Sequence, residues 1–196
     1  FPKQGPRTYR ILRKWFSRMV NQFESSVNDP KSAQKKVLKE LTIQTQGTLF
    51  AKDHQLTKNM TLHDYRDAVP IRDFEQLSPW MDRVIAGEPR VLTRDPVMSF
   101  VETSGTQSTP KWIPVTKSWS KHIKNAQTLW VLGILKDFPM IEQGHIFHLV
   151  SSPTEKISPT GLPVGANTGR MAQELPSIFQ QKFVMHNLPK LPEDQD

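Results

Sequence analysis

Nine consecutive residues, Thr103-Ser104-Gly105-Thr106-Gln107-Ser108-Thr109-Pro110-Lys111, bring together five hydroxyl side chains, one glycine and one lysine. That mixture suits phosphate. Hydroxyls and free backbone N–H groups donate to phosphate oxygens, Gly105 lets the main chain approach closely, and Lys111 carries a positive charge toward a β- or γ-phosphate. Charge-assisted hydrogen bonds of this kind contribute on the order of 1.5–3 kcal/mol each. The same composition also describes an exposed hairpin loop rich in turn formers, and composition alone does not separate the two readings. The stretch is not a Walker loop, and neither G-x-G-x-x-G nor G-x-S-x-G occurs in the chain.

Other residues with chemical potential are weaker candidates. Glu102, directly before the loop, has the chemistry to bind Mg²⁺, but a carboxylate ending a strand is ordinarily solvated. His145 and His148 stand three apart in a predicted strand and so face opposite sides, which is unsuited to a shared metal. Trp119 and Trp130 fall on one stripe of a predicted helix, where core packing competes with a role as the wall of a substrate pocket. The chain has no cysteine. That excludes disulfides, thiolate metal sites and a cysteine nucleophile, and it fits a reducing compartment. The sequon Asn59-Met60-Thr61 is a three-residue pattern that carries no argument alone.

The elements that must position the loop are legible from periodicity. Short β-prone segments at Val97 to Glu102 and Trp112 to Thr116 flank it, so the loop joins two strands. Lys117 to Phe138 then has helical spacing through Trp119, Ile123, Ala126, Trp130 and Ile134, closed by Pro139. Upstream, Tyr9, Leu12, Phe16, Met19 and Phe23 predict a helix over 8–27. Asn28-Asp29-Pro30 breaks it and starts a second helix through Ala33, Val37, Leu38 and Leu41. Residues 45–60 have no period, and Thr61 to Asp64 reads as a helix N-cap. Val69-Pro70-Ile71 is extended, and Asp73 to Ala86 predicts a helix that Pro79 bends or divides and Gly87 ends. Beyond the loop, His145 to Ser151 reads as a buried strand, Ser158 to Pro163 as a turn-rich loop, and Pro176 to Met185 as a final helix.

Helices first, then strands alternating with helices, predict an α/β fold, with α+β as the variant, in which a helical N-terminal segment precedes an incomplete sheet. The expected organisation is a basic helical hairpin and loop over 1–60, an α/β unit over 61–190 and a tail over 191–196, one incomplete domain in all. The 196 residues suffice for a single core. Mean hydropathy is −0.52, and the longest apolar run, Leu129 to Leu135, has seven residues, where a membrane-spanning helix needs about 20. Residues 1–60 carry 12 Lys and Arg against 4 Asp and Glu, whereas the remainder is nearly neutral. The cluster Arg7, Arg10, Arg13, Lys14 and Arg18 reads as the solvated face of an amphipathic helix. The alternative is a non-catalytic module that binds nucleic acid or an anionic membrane surface, which requires steeply salt-dependent binding.

Residues 103–111 resemble the phosphate-binding signature of adenylate-forming enzymes, [ST]-S-G-T-[TS]-G-x-P-K. They match at Thr103, Ser104, Gly105, Thr106, Pro110 and Lys111 and depart at Gln107 and Ser108. The surrounding segments narrow the match. Val69-Pro70-Ile71-Arg72-Asp73-Phe74-Glu75-Gln76-Leu77, Asp82 to Glu88, the loop itself, Trp112 to Thr116, and Ser158 to Ala166 follow the order and spacing of the auxin-responsive (Gretchen Hagen type) acyl acid–amido synthetases. The resemblance covers about residues 35–175.

The resemblance implies a two-step ligase that activates a carboxylic acid with Mg·ATP as acyl-AMP and passes the acyl group to an amine such as an amino acid. Thr103, Ser104, Gly105, Thr106 and Lys111 would hold the ATP phosphates, with Mg²⁺ as the implied ion and no protein metal site. Catalysis would consist of positioning and charge stabilisation, without a side-chain nucleophile. The Gln107 and Ser108 departures imply a stiffer loop with an altered grip on nucleotide. The family's adenine and ribose motifs are expected downstream of Asp196. On that expectation the chain is the amino-terminal fragment of a longer cytoplasmic enzyme, inactive alone, whose partners are a small carboxylic acid, an amine and the rest of the protein; nucleic acid is not an expected partner.

Overall fold

A computed structural model describes residues 7–103, 110–143 and 150–174. The elements are α1 (Arg7–Trp15), α2 (Ser17–Asn28), α3 (Pro30–Gln44), α4 (Leu49–Asp53), α5 (Leu62–Ala68), α6 (Phe74–Ile85), β1 (Val97–Glu102), β2 (Trp112–Thr116), α7 (Lys117–Asp137), a 3₁₀ turn (Pro139–Gln143), β3 (Lys156–Ile157), β4 (Pro163–Gly165) and α8 (Asn167–Gln173). The strands form one sheet in the order β2-β1-β4-β3. β1 and β2 are antiparallel, β1 and β4 parallel, β4 and β3 antiparallel. The expected α/β arrangement is thus present, as a small mixed and incomplete sheet behind a helical N-terminal segment.

Local chemistry sets most helix starts. Asp29 caps α3 by accepting from the Ser32 N–H, with Pro30 in the first turn. Thr61 and Asp64 make a reciprocal capping box on α5, and Asp73 and Gln76 make another on α6. The single predicted helix over 8–27 is instead two, α1 and α2, with a turn at Phe16. Phe16 still donates to Leu12 and accepts from Val20, so the break is a change of direction that leaves few backbone groups unpaired. It lets Tyr9 and Val20 face the same core.

Pro79 does not divide α6, which runs unbroken through it. The carbonyl that its missing N–H would have engaged, that of Glu75, accepts instead from the Ser78 hydroxyl at 2.7 Å. Past Ile85 the helix ends as expected. Gly87 adopts φ +86°, donating to Val84 while Glu88 donates to Arg83, the paired pattern that closes a helix through a left-handed residue. A bidentate Arg83–Glu88 ion pair brackets this turn, and its hydrogen bonds hold the Glu88 carboxyl below its ordinary range.

Among the described residues, two cores hold the elements together. Tyr9 and Val20 pack on Leu132 and Leu135 of α7, so the N-terminal helices share a core with the long helix. Val84, Val91, Phe100 and Val164 form the second core between α6 and the sheet. The stripe Trp119, Ile123, Ala126, Trp130 and Ile134 is not the buried face of α7. Ser120, Leu132 and Leu135 are buried, whereas Trp130 is 67% exposed. Both stripes are apolar at helical spacing, and the docking of α1 selects the one that is buried. The segment predicted as the strand His145 to Ser151 lies mostly outside the described residues, as does the helix predicted at Pro176 to Met185; Val150 and Ser151, which are described, are not in a strand. The turn-rich loop from Ser158 to Pro163 is the tip of the β3–β4 hairpin, whose two- and three-residue strands are too short for periodicity to reveal. No helix among the described residues is long and apolar enough to cross a membrane.

α8 lies unusually close to the chain before β3. A Cβ on Gly169 would collide with the Ser151 carbonyl oxygen and lie 2.8 Å from the Pro153 nitrogen, both backbone atoms that cannot swing aside. Helix propensity alone predicts that Gly169→Ala stabilises by up to about 1 kcal/mol. The crowding reverses the sign, and a net loss of about 1–3 kcal/mol is expected, read as a lower urea midpoint at unchanged m-value.

Candidate functional site

The loop between β1 and β2 is the candidate site, and the hairpin register fixes its two ends. Glu102 pairs with Trp112 across the strands. The Thr103 N–H donates to the Lys111 carbonyl at 3.0 Å, and the Lys111 N–H donates to Thr103 Oγ1 at 3.2 Å. Thr103 and Lys111, two of the five residues expected to meet phosphate, are therefore bonded to each other at the mouth of the loop. Ser104, Gly105 and Thr106 lie outside the described residues. Because β1 runs parallel to β4, the loop leaves β1 at the carboxyl end of a parallel pair, where ligands of open α/β sheets commonly bind.

The Lys111 side chain does not stand free. Its Nζ is 3.5 Å from Glu75 Oε1 and 4.9 Å from the centre of the Phe74 ring, both at the start of α6. At the other end of the loop, Glu102 is not the solvated carboxylate that its place at a strand end predicts. Its side chain is 12% exposed, and Oε1 accepts from Lys156 Nζ at 2.6 Å, across the intervening strand β4. Glu102 Oε2 is buried with no partner. Two lysine–carboxylate pairs thus bracket the loop, Lys111–Glu75 and Lys156–Glu102. Glu102 meets Lys156 through one oxygen, and no cluster of three His, Cys, Asp or Glu suited to a metal occurs among the described residues.

On α7, which follows β2 directly, the two tryptophans have different surroundings. Trp119 lies under the Arg170 guanidinium, 4.7 Å from ring centre to Cζ. Arg170 is itself buried, donating to Ser120 Oγ at 3.1 Å, to Glu174 Oε1 at 2.6 Å and to Asn167 Oδ1 at 3.0 Å. This ties α8 to the first turns of α7. Trp130 instead lines an apolar groove of about 670 Å³ with Phe23, Leu129 and Phe138. Sequence reasoning missed the roles of Phe74, Glu75, Lys156 and Arg170. Phe74 and Glu75 lie within a segment already singled out by resemblance; Lys156 carries no local signal, because its partner is 54 residues away, and for Arg170 the spacing to Glu174 was a signal, whereas Ser120, 50 residues away, was not.

Comparison with known proteins decides the family. The sequence model of the GH3 family N-terminal domain matches residues 19–194. The chain belongs to the GH3 family. This GH3 domain is 24% identical over 159 residues to the 4-substituted benzoates-glutamate ligase GH3.12 of Arabidopsis thaliana, a match covering 80% of the chain and 27% of that enzyme. It is 27% identical over 99 residues to the jasmonoyl–L-amino acid synthetase JAR6 of Nicotiana attenuata, covering 50% of the chain and 17% of that enzyme. The solved structure of the AtGH3.15 acyl acid amido synthetase in complex with 2,4-DB superposes with a TM-score of 0.70 at 20% identity, over 85% of the chain and 29% of that structure. A second structure of GH3.15 acyl acid amido synthetase gives 0.64 at 20% identity, over 74% of the chain and 26% of its own length. The GH3 domain here thus spans less than a third of each of these relatives, and the superpositions establish its fold. The resemblance read from the loop and its four companion segments is borne out at the level of family.

Proposed function

We propose that this chain supplies the phosphate-binding portion of an ATP-dependent ligase that joins a carboxylic acid to an amine, with an amino acid as the favoured class of acceptor. In the first step a carboxylate oxygen of the acid attacks the α-phosphorus of ATP, the bond to the bridging oxygen breaks, and pyrophosphate leaves with its electron pair. The acyl-AMP is then attacked at its carbonyl carbon by the amine, and AMP departs as the amide forms and the amine loses a proton. Within this reading Thr103, Ser104, Gly105, Thr106 and Lys111 bind the phosphates, and Mg²⁺ is bound through the nucleotide's phosphates. The chain's part is to hold charge in place, which requires no side-chain nucleophile.

The observation that carries the reading is the loop itself, closed by the reciprocal Thr103–Lys111 hydrogen bonds and leaving the sheet at the carboxyl end of β1. The matched relatives are named as ligases and synthetases that act on acids and amino acids, which supports the same class here. Adenine recognition and acyl transfer would fall to the rest of the protein, so residues 1–196 alone are expected to be inactive. The test is ATP–pyrophosphate exchange by the intact gene product against a panel of aromatic and aliphatic carboxylic acids. Acid-dependent exchange is expected. Failure of the intact gene product to bind ATP in equilibrium dialysis overturns the reading.

A further inference from the structure

The segment Val69 to Leu77 is one of those by which the chain resembles its family, yet the reaction above assigns it no task. In the fold, two of its residues meet the loop lysine. Phe74 and Glu75 open α6 immediately after the Asp73 cap, and both reach Lys111, the ring at 4.9 Å and the carboxylate at 3.5 Å. We propose that the first turn of α6 is a seat for the Lys111 ammonium while the site is empty, and that incoming phosphate displaces Glu75 but not Phe74. On this proposal, which rests on the phosphate-binding reading of the loop, Phe74 and Glu75 are positioning residues for the Lys111 ammonium, and Glu75 sets nucleotide affinity through it.

The two contacts differ in kind, and the difference gives the proposal its signature. An aromatic face attracts a cation without using its N–H donors, so Phe74 can stay beneath the ammonium after phosphate arrives. A carboxylate accepts from those same donors and competes with phosphate for them. The Glu75 contact is also suited to exchange. At 3.5 Å it is longer than a tight charge-assisted hydrogen bond of about 2.7–2.9 Å, and the Glu75 side chain is 70% exposed, where water and salt readily replace it. Glu75 therefore favours the empty state alone, whereas Phe74 supports both states. Removing Glu75 should therefore tighten phosphate binding, whereas removing Phe74, whose contact is the same before and after, should leave affinity nearly unchanged.

The experiment is calorimetric titration of the intact gene product with ATP and, separately, with inorganic tripolyphosphate, which has no adenine to recognise. Glu75→Gln is expected to tighten both ligands by about two- to fivefold, the range measured for an exposed ion pair, and to have no effect once Lys111→Ala is present. Phe74→Leu, which removes a contact present in both states, is expected to change either affinity by less than about twofold, and a change of about fivefold or more in either direction overturns the shared seat. Thermal melts check that each variant is folded. Unchanged or weaker binding by Glu75→Gln, while Lys111→Ala still loses affinity, overturns the seat and leaves the phosphate reading intact. A Glu75→Gln gain that persists without Lys111 also overturns it, since the effect would then be one of general charge. Wild-type binding by Lys111→Ala overturns both.

Discussion

Lys111→Ala is expected to weaken ATP binding by the intact protein roughly 10- to 100-fold, the equivalent of one charge-assisted hydrogen bond at about 1.5–3 kcal/mol. The loss should come with little change in stability. The Lys111 side chain is 31% exposed, and its contacts with Glu75 and Phe74 are of the weak surface kind. Lys111→Arg separates charge from shape. A guanidinium keeps the positive charge but presents a planar fork where an ammonium offers a compact donor, so partial recovery of affinity is expected. Equilibrium dialysis at fixed ionic strength, beside a thermal melt, makes the measurement. Unchanged affinity in a folded Lys111→Ala variant would remove Lys111 from the phosphate site.

Phe100→Ala carries the largest expected cost in stability, about 3–5 kcal/mol for deleting a buried aromatic ring. Phe100 is 2% exposed and lies opposite Pro114 of β2 and Val164 of β4. It packs with Val84 and Val91, and its ring is 5.9 Å from that of Trp112. The ring therefore joins α6 to three strands, and neighbours drawn from that many elements cannot collapse together into the space it leaves. Against a typical domain stability of about 5–15 kcal/mol, the loss is a large share. Met98, on the same strand and 40% exposed, is the internal control. Its replacement by Ala should shift the urea midpoint far less, and equal shifts would refute the assignment of the core face.

The loop's place between two strands, its hydroxyl and lysine content and its likeness to a phosphate-binding signature were all legible in sequence, because each is set by residues within a few positions of one another. The same holds for the helix starts at Asp29 and Thr61, where a side chain meets an N–H three residues on. Capping and strand alternation are local interactions, and local interactions leave a readable period or spacing.

What tertiary structure decided are choices between locally equivalent options and pairings over long separations. α7 has two apolar stripes at helical spacing, and only the packing of Tyr9 and Val20 against Leu132 and Leu135 determines that the stripe carrying Trp130 remains outside. Pro79 is a helix breaker by local rule, but the Ser78 hydroxyl supplies the lost hydrogen bond and α6 continues. Glu102 is a plain strand-end carboxylate until the β3–β4 hairpin brings Lys156 to it. The seat for Lys111 exists because α6 and β2 pack together, although the loop and the segment containing Phe74 and Glu75 could each be singled out separately. Sequence by itself determined which residues bear the chemistry and the local shapes they adopt, since those depend on near neighbours. The fold decided which charges meet and which apolar face is buried, since both depend on contacts that no spacing along the chain encodes.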